Sequence, residues 1–261
     1  MQKLTIIKIG GNIIDDEIKL SRFLQSYSLI VGAKILVHGG GKLSTTLSSK
    51  LGIETKLIDG RRITDSETLK VVSMVYAGWI NKSMTAELNS LGVPSVGICG
   101  ADGECIPALK RPVGEIDYGF VGDVQSNKIN SAFFQLLLNN GFTPIVAPIT
   151  SEAKQLLNTN ADTIAGCLAV GLSKFYDIQL IYCFEKNGVL KDINNSDLVF
   201  ETMDEKTYQT LKQTGSISHG MIPKLDNAFL SLHGGVKSVS IGIAENLTQL
   251  LNHQSGTEIV I

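Results

Sequence analysis

Segments typical of buried strands alternate with segments typical of amphipathic helices along almost the whole chain, and this alternation limits the possible folds more than any other feature. Such a chain usually builds a parallel sheet, because parallel neighbours need a long crossover connection that a helix supplies. The sequence therefore predicts an α/β fold, a three-layer αβα sandwich with a mostly parallel central sheet.

The predicted elements cover most of the chain. We expect strands at Leu4–Ile9, Lys34–His38, Pro94–Cys99, Thr143–Pro148, Gln179–Phe184 and Val236–Ile243. We expect helices at Ile14–Leu29, Lys42–Leu51, Thr64–Ser90, Ser131–Asn140, Ala161–Leu172, Lys206–Thr214 and Lys224–Leu232. Residues 103–127 are rich in Gly and Pro, which favours hairpins over another crossover.

The third of these helices is the longest. The sequence Thr64-Asp65-Ser66-Glu67 has the pattern of a capping box and is predicted to begin it. A wide apolar stripe follows, made of Leu69, Val72, Val75, Tyr76 and Trp79. A stripe of this width is more than a helix with one solvent-facing side needs.

Composition excludes several classes of protein. With 43% hydrophobic and 18% charged residues in 261, the chain can bury a large core and is not a disordered protein. A net charge of −2 without a basic block argues against nucleic acid or a membrane surface as the main partner. No segment approaches the roughly 18 continuous apolar residues of a membrane span. The N-terminal sequence also lacks the pattern of a signal peptide.

The cysteines and histidines suggest neither disulfides nor a metal site. The four cysteines form no CxxC pair, and the four histidines have no metal-binding spacing. We therefore expect a reduced, cytoplasmic protein without a structural metal.

Two glycine-rich segments follow the first two predicted strands. Lys8-Ile9-Gly10-Gly11-Asn12 ends the first, and His38-Gly39-Gly40-Gly41-Lys42 ends the second and opens a helix. Ligands of α/β sheets lie beyond the carboxyl ends of strands, where glycines allow backbone N–H groups to approach an anion. Neither segment is a Walker A loop or a dinucleotide fingerprint. A strand-ending turn with a surface lysine explains the first equally well, and we interpret His38 as a hydrogen-bonded residue, not a base.

Two adjacent arginines precede the long helix, in Asp59-Gly60-Arg61-Arg62-Ile63-Thr64. A guanidinium group binds a carboxylate through two parallel hydrogen bonds, which makes Arg62 a candidate ligand for an acidic substrate. For Arg61 we favour a solvated position, paired with an acid such as Asp59 or Asp65.

Two polar segments occur later in the chain, each at the start of a predicted helix. In Leu157–Asp162, Asn158, Asn160 and Asp162 alternate; helix capping by Asn160 and a favourable dipole position for Asp162 is the simpler explanation. In Ser216–Lys224, Lys224 occupies a first helical turn, where the dipole disfavours a cation. An anionic ligand would explain that lysine, as would a solvated side chain.

Together and in this order, the five segments resemble the amino acid kinase family across nearly the whole chain, and in particular its members that phosphorylate N-acetylated glutamate. The resemblance implies the amino acid kinase fold and ATP-dependent phosphorylation of the γ-carboxylate of N-acetyl-L-glutamate, giving N-acetyl-L-glutamyl 5-phosphate, in arginine and ornithine biosynthesis. N-succinyl-L-glutamate is the alternative substrate, and a non-catalytic sensor of nucleotide or amino acid is the alternative of another class.

The resemblance also implies the site residues. Lys8, Lys224 and Asp162 would be catalytic, the two lysines acting on the transferring phosphoryl group and Asp162 orienting them. The substrate would be bound by Gly40, Gly41, Arg62, Asn158 and Asn160. The nucleotide would be bound by Gly10, Gly11, Glu185, Lys186, Asn187, Gly188, Ser216, Ile217 and Ser218. ATP and Mg²⁺ are the implied cofactors, with Mg²⁺ held by ATP phosphates and water and by no side chain.

Three further expectations follow. The N-terminal half, about 1–150, would bind the acyl-amino acid and form a homodimer through the long helix; the C-terminal half, about 151–261, would bind ATP. The sequence from Cys183 to Val189 departs from the family pattern and changes the expected adenine and ribose contacts. Arginine-inhibited relatives have an additional N-terminal helix, whereas this sequence starts at its first strand, so we expect a dimer that free arginine does not inhibit.

Overall fold

The computed structural model describes residues 1–58, 61–192, 195–217 and 221–261. The strands are β1 (Gln2–Ile9), β2 (Ala33–His38), β3 (Leu57–Ile58), β4 (Arg61–Arg62), β5 (Ser95–Ile98), β6 (Ala108–Lys110), β7 (Gly122–Val124), β8 (Thr143–Val146), β9 (Ile149–Glu152), β10 (Gln155–Asn158), β11 (Tyr176–Phe184), β12 (Leu190–Asp192), β13 (Asn195–Val199), β14 (Thr202–Asp204), β15 (Ser238–Ile243) and β16 (Thr257–Val260). The α-helices are α1 (Gly11–Ile14), α2 (Glu17–Ser28), α3 (Leu43–Lys50), α4 (Ser66–Ser73), α5 (Asn81–Ser90), α6 (Ser131–Asn139), α7 (Ala161–Leu172), α8 (Glu205–Gln213), α9 (Ile222–His233) and α10 (Leu247–Leu251).

An eight-stranded sheet forms the middle layer, with the strand order β14-β16-β15-β11-β1-β2-β8-β5. Neighbouring strands are parallel except β15 and β16, which are antiparallel. The predicted α/β fold with a mostly parallel sheet is therefore confirmed. All six predicted strands are present, with ends that differ by up to three residues.

Helices cover both faces of the sheet, and β1 shows how its side chains divide between them. Leu4 and Ile6 belong to a core that includes residues of α7 and α9, whereas Ile7 and Ile9 belong to a second core with residues of α2, α4 and α5. Side chains alternate between the faces of a strand, so Lys8 points to the same side as Leu4 and Ile6. The sheet thereby directs Lys8 towards α7 and α9.

The long helix differs from the prediction at its start. Its N-cap is Asp65, whose carboxylate accepts a hydrogen bond from Thr68 N. The Thr64 hydroxyl instead donates to Arg62 O, at 2.9 Å, and the backbone of Thr64 pairs with Gly119. The predicted capping box is therefore wrong, because Thr64 belongs to a strand-like segment before the helix.

The middle of the same helix widens into π-helical turns at Met74–Ile80, between α4 and α5. Four residues of the predicted apolar stripe are buried, namely Leu69, Val72, Val75 and Tyr76. The fifth, Trp79, is 70% exposed, together with Met74 at 56%. The stripe therefore extends beyond the core onto the surface of the chain.

The predicted helix Ile14–Leu29 corresponds to α2, which begins three residues later, and a separate short helix, α1, precedes it. The short α1 starts one residue after Gly10, and α2 begins after Asp16, whose carboxylate accepts hydrogen bonds from Ile18 N and Lys19 N. Asp15, between the two helices, accepts a hydrogen bond from Lys42 N at 2.8 Å. That bond ties the end of α1 to the second glycine segment.

Several antiparallel hairpins lie beside the main sheet. The pair β6–β7 confirms the hairpin predicted within residues 103–127. The two arginines form β4, which pairs with β3, and residues 59–60 lie outside the described residues. The pairs β9–β10 and β12–β13 were not predicted. None of the described helices is both long and apolar enough to cross a membrane.

Candidate active site

Three charged side chains from distant parts of the chain meet at one end of the sheet. Lys8 lies near the carboxyl end of β1, Asp162 in the first turn of α7, and Lys224 in the first turn of α9. The Nζ atoms of Lys8 and Lys224 lie 2.6 Å from Asp162 Oδ1 and Oδ2, respectively. One carboxylate therefore holds both lysines, and we call these residues the triad.

The triad is buried and carries a net positive charge. Its side chains are between 8% and 15% exposed, and one carboxylate cannot neutralise two ammonium groups. Burial lowers the pKa of Lys8 to about 8, an effect that Asp162 opposes and Lys224 reinforces. Burial alone would raise the pKa of Asp162, but the charges of Lys8 and Lys224 outweigh it and hold that pKa well below its usual range. An uncompensated buried cation is costly, so this arrangement favours an anionic ligand.

A first cavity, of about 480 Å³, lies on one side of the triad. Its lining residues are Gly10, Gly11, Asn12, Ile13, Phe184, Glu185, Lys186, Gly188, Val189, Leu190, Ser216, Ile217, Met221 and Lys224. Among the predicted nucleotide ligands, all of those in the described residues except Asn187 line this cavity; Ser218 lies outside the described residues. Across it, the Asn12 amide donates a hydrogen bond to the Glu185 carboxylate.

The N-termini of two helices open onto the first cavity. Neither α1, after Gly10, nor α9, after Met221, has a side-chain hydrogen bond at its cap. Their first N–H groups therefore remain available, and the helix dipole favours an anion at the same place. Lys224 is in the first turn of α9, as predicted, and its contact with Asp162 offsets the unfavourable dipole.

A second cavity, of about 450 Å³, is lined by Ala161 and Thr163, the two sequence neighbours of Asp162. Its lining residues are Gly39, Gly40, Gly41, Lys42, Thr45, Leu57, Arg61, Arg62, Tyr76, Arg111, Val121, Gly122, Asp123, Pro148, Asn158, Thr159, Asn160, Ala161 and Thr163. All five predicted substrate ligands line this cavity, although they come from segments more than 90 residues apart.

Two hydroxyl groups hold the Arg62 side chain on one side. Its Nη2 atom donates to Ser44 Oγ at 3.1 Å and to Thr45 Oγ1 at 2.9 Å. Its Nη1 atom is buried without a hydrogen-bond partner among the described residues. A guanidinium group held on one side and unpaired on the other is suited to a carboxylate ligand.

The two asparagines of the second cavity have structural partners as well. Asn158 Nδ2 donates to Thr64 Oγ1 at 3.0 Å, which joins β10 to the segment that precedes the long helix. Asn160 caps α7, its side-chain oxygen accepting from Asp162 N and Thr163 N. The side-chain oxygen of Asn160 therefore caps the helix, which was the simpler explanation offered by the sequence. The cap fixes Asp162 at the start of the helix.

The glycines of the second segment are required by their neighbours. A Cβ atom on Gly40 would lie 1.7 Å from the Tyr76 ring, so that ring covers the glycine directly. Gly41 has a φ of +57°, a left-handed conformation that favours glycine. Tyr76, whose hydroxyl is hydrogen-bonded to Ser44, was predicted only as part of an apolar stripe.

His38 is a buried structural residue, as predicted. Its Nδ1 and Nε2 atoms lie 2.8 Å from Gly39 O and 3.0 Å from Asn81 Nδ2. Burial lowers the pKa of His38 to about 4, so the ring is neutral at pH 7 and can donate to the carbonyl and accept from the amide.

Sequence analysis did not assign two cations of the second cavity correctly. Arg61 was expected at the surface, paired with Asp59 or Asp65; it is half-buried, lines the cavity and forms no ion pair with a described residue, whereas Asp59 lies outside the described residues. Arg111 was not singled out; it lies next to β6, and its guanidinium group is paired with Asp123 on β7. Two hairpins, β3–β4 and β6–β7, bring these residues to the same cavity, and no local sequence pattern indicates that arrangement.

The sequence and the architecture match known proteins. The model of the amino acid kinase family matches residues 3–242, which is most of the chain. The chain belongs to the amino acid kinase family. As a member of that family it is a kinase, and ATP is its phosphoryl donor.

Curated members of the family resemble the chain over its full length. It is 48% identical to a protein of Phocaeicola vulgatus named acetylglutamate kinase, over 99% of this chain and 98% of that protein. It is 50% identical to a protein of the same name from Cytophaga hutchinsonii, over 100% and 99% of the two chains.

Solved structures of more distant relatives share the fold. An N-acetylglutamate synthase from Neisseria gonorrhoeae, complexed with coenzyme A and N-acetyl-glutamate, superimposes with a TM-score of 0.81 at 22% identity. The match covers 99% of this chain but only 59% of the synthase chain. Carbamate kinase from Giardia lamblia, bound to AMP-PNP, gives a TM-score of 0.74 at 15% identity, over 99% and 98% of the chains.

Proposed function

We propose that this kinase transfers the γ-phosphoryl group of ATP to the side-chain carboxylate of N-acetyl-L-glutamate, giving N-acetyl-L-glutamyl 5-phosphate in arginine biosynthesis. The names of the full-length relatives support this acceptor. The reaction forms a bond between a carboxylate oxygen and the γ-phosphorus and breaks the bond from that phosphorus to the β-phosphate oxygen, releasing ADP. No proton has to be removed from the acceptor, so no catalytic base is required.

The position of the triad carries the proposal. Lys224 lines the first cavity, while Ala161 and Thr163, adjacent to Asp162 in sequence, line the second. The buried positive charge therefore lies where a donor in one cavity and an acceptor in the other would meet. Phosphoryl transfer passes through a loose transition state that needs positioning and charge neutralisation, and the triad is suited to supply both.

Each member of the triad has a distinct role in this scheme. Lys8 and Lys224 would stabilise the negative charge on the transferring phosphoryl oxygens from two sides. Asp162 contacts both ammonium groups at 2.6 Å and would hold them in position without taking part in bond formation. Its charge also raises the pKa of Lys8, against the lowering caused by burial.

The first cavity is assigned to ATP. Its volume, its two uncapped helix N-termini and Lys224 suit a nucleotide whose phosphates point towards the triad. Glu185, Lys186 and Gly188 would contact the base and ribose, and Asn187 would keep the loop in shape. Mg²⁺ bound to the ATP phosphates would neutralise part of their charge, and we assign it to ATP oxygens and water.

The second cavity is assigned to the acyl-amino acid. Arg62, with its unpaired Nη1, would bind the α-carboxylate together with Asn158, and the backbone of Gly40 and Gly41 would contact the reacting end. Arg62 would then orient the substrate so that its side-chain carboxylate points to the triad. The predicted division near residue 150 is not strict, because the second cavity also uses residues 158–163 and the first cavity also uses residues 10–13.

We further propose a cytoplasmic homodimer. The free thiols of all four cysteines and the use of ATP support a reducing compartment. Exposed Met74 and Trp79, on the long helix, support an interface between two copies of this chain.

Two rival functions remain to be distinguished by experiment. A kinase of another carboxylate or carbamate would keep the triad but use a different acceptor, and a non-catalytic sensor would bind ligands without turnover. The test is an ATP-dependent hydroxamate assay, which traps acyl phosphates, with N-acetyl-L-glutamate, L-glutamate, L-aspartate and carbamate. We expect a signal with N-acetyl-L-glutamate that disappears without ATP. A signal only with another acceptor, or none with any, would contradict the proposal.

A further inference from the structure

The second cavity contains more positive charge than N-acetyl-L-glutamate needs. Among the described residues, its lining includes four cationic side chains, Lys42, Arg61, Arg62 and Arg111, and a single carboxylate, Asp123. N-acetyl-L-glutamate has two carboxylates, and its side-chain carboxylate would point to the triad. Only the α-carboxylate is then left to pair with the cations of the cavity.

Two of the four cations have partners that account for them. Arg62 is held by Ser44 and Thr45 and is assigned to the α-carboxylate. Arg111 donates to Asp123 from Nε at 3.1 Å to each carboxylate oxygen, and also from Nη2, so its charge is matched within the protein. Neither Arg62 nor Arg111 therefore requires a ligand group beyond those of N-acetyl-L-glutamate.

Arg61 and Lys42 are the unmatched cations. Neither forms an ion pair with a described residue, and both line the cavity. Arg61 is half-buried and adjacent in sequence to Arg62, whereas Lys42 is exposed. A guanidinium group can bind a carboxylate bidentately, and partial burial strengthens such a pair, so Arg61 is the better candidate ligand for a further carboxylate.

We propose that the second cavity also takes N-acyl-glutamates whose acyl group ends in a carboxylate, of the length of succinyl, and that Arg61 binds that carboxylate. The inference rests on the proposed function, since it keeps the same reaction and the same position of the glutamate part. Such a substrate brings three carboxylates. The third would reside among the cations that N-acetyl-L-glutamate leaves unpaired.

The test isolates the terminal charge from the length of the acyl chain. kcat/KM is measured for N-succinyl-L-glutamate, for its terminal amide (N-succinamoyl-L-glutamate) and for N-acetyl-L-glutamate. We expect the acid to exceed its amide by about tenfold or more, because the amide has the same shape but no charge for Arg61 to pair with. In Arg61→Gln this ratio should fall towards one, and in the control Arg22→Gln, an exposed arginine of α2 outside the cavity, it should not change.

Several results would overturn the inference. An acid no better than its amide in the unmodified enzyme, or a ratio unaffected by Arg61→Gln, would do so. So would a preference of about tenfold or more for N-acetyl-L-glutamate over N-succinyl-L-glutamate that Arg61→Gln and Lys42→Gln leave unchanged. Comparing acid and amide in the unmodified enzyme decides the matter even if Arg61→Gln does not fold. Phosphorylation of none of the three compounds would overturn the proposed function itself.

Discussion

Gly11 and Gly41 lie back to back: a Cβ atom on Gly11 would be 2.8 Å from the Cα atom of Gly41. Gly11 lines the first cavity and Gly41 the second, so the two cavities share a wall that is two backbones thick. The sequence thus places a glycine-rich segment after each of two neighbouring strands, and the close approach of these segments brings donor and acceptor sites together. In-line phosphoryl transfer depends on that proximity.

Gly11→Ala should therefore weaken both folding and catalysis. The added methyl group meets backbone, which no side-chain rotation can relieve, so we expect the free energy of unfolding to fall by about 1–3 kcal/mol. kcat should fall as well, because the two segments must separate. Chemical denaturation and steady-state kinetics measure the two effects. Gly114→Ala, with no atom within 4 Å of its Cβ, is the control, and equal behaviour of the two variants would contradict the packing argument.

The pH dependence of the reaction should report the charge on Lys8. Its pKa is lowered to about 8, so the side chain is charged below that pH and loses its proton as the pH rises through it. kcat/KM for ATP should accordingly decline above about pH 8, whereas kcat should decline at a higher pH, because bound phosphates favour the charged form.

Asp162→Asn provides the complementary measurement. Loss of the carboxylate removes the interaction that raises the pKa of Lys8. The decline of kcat/KM for ATP at alkaline pH should therefore begin at a lower pH. The change also leaves two uncompensated buried cations, and we expect unfolding to become easier by about 3–5 kcal/mol. If kcat/KM for ATP declines at the same pH in Asp162→Asn, the decline reflects the titration of a group other than Lys8.

Arg62→Ala should chiefly raise KM for N-acetyl-L-glutamate. The proposed contact with the α-carboxylate is present in the ground state and the transition state alike, so kcat should change less than KM. KM for ATP should stay the same, because Arg62 lines only the second cavity. Arg61→Ala is compared in the same assay with this substrate. An equal or larger rise in KM there would show that the wrong arginine was assigned to the α-carboxylate.

The exposed apolar residues of the long helix should mediate dimerisation. Trp79 is 70% exposed and Met74 56%, on π-helical turns that bring them to the surface. Light scattering should give twice the mass of the chain, and Trp79→Glu should shift the species towards a monomer, because a charge in an apolar interface is unfavourable. Leu230→Glu, at an exposed apolar position of α9, is the matched control. A dimer unaffected by Trp79→Glu would place the interface elsewhere.

The sequence predicted the fold well because strand and helix periodicities are local. It placed the strand ends and glycine segments, and hence the edge at which Lys8 lies. Each motif, taken alone, also had an ordinary structural explanation. Only the resemblance to the family predicted that Lys8, Asp162 and Lys224 belong to one site. Their 2.6 Å contacts depend on which face of β1 meets α7 and α9, a property of the assembled layers.

The errors have a common physical origin in tertiary contacts. Thr64 had the right spacing for a capping box, but its pairing with Gly119 held it in a strand-like conformation, so Asp65 became the cap. Arg61 was assigned to solvent because an isolated arginine usually is solvated, whereas the β3–β4 hairpin turns it towards the second cavity. Neither contact can be deduced from neighbouring residues.

Lys8 and Lys224 are proposed to act on the transferring phosphoryl group. The most direct test measures kcat for Lys224→Ala together with the Kd for ADP, using Lys237→Ala, whose side chain is 71% exposed, as the control. We predict a fall in kcat of about a hundredfold or more, with a much smaller change in Kd, because the lysine acts mainly in the transition state. A Lys224→Ala enzyme with near-normal kcat would contradict the account.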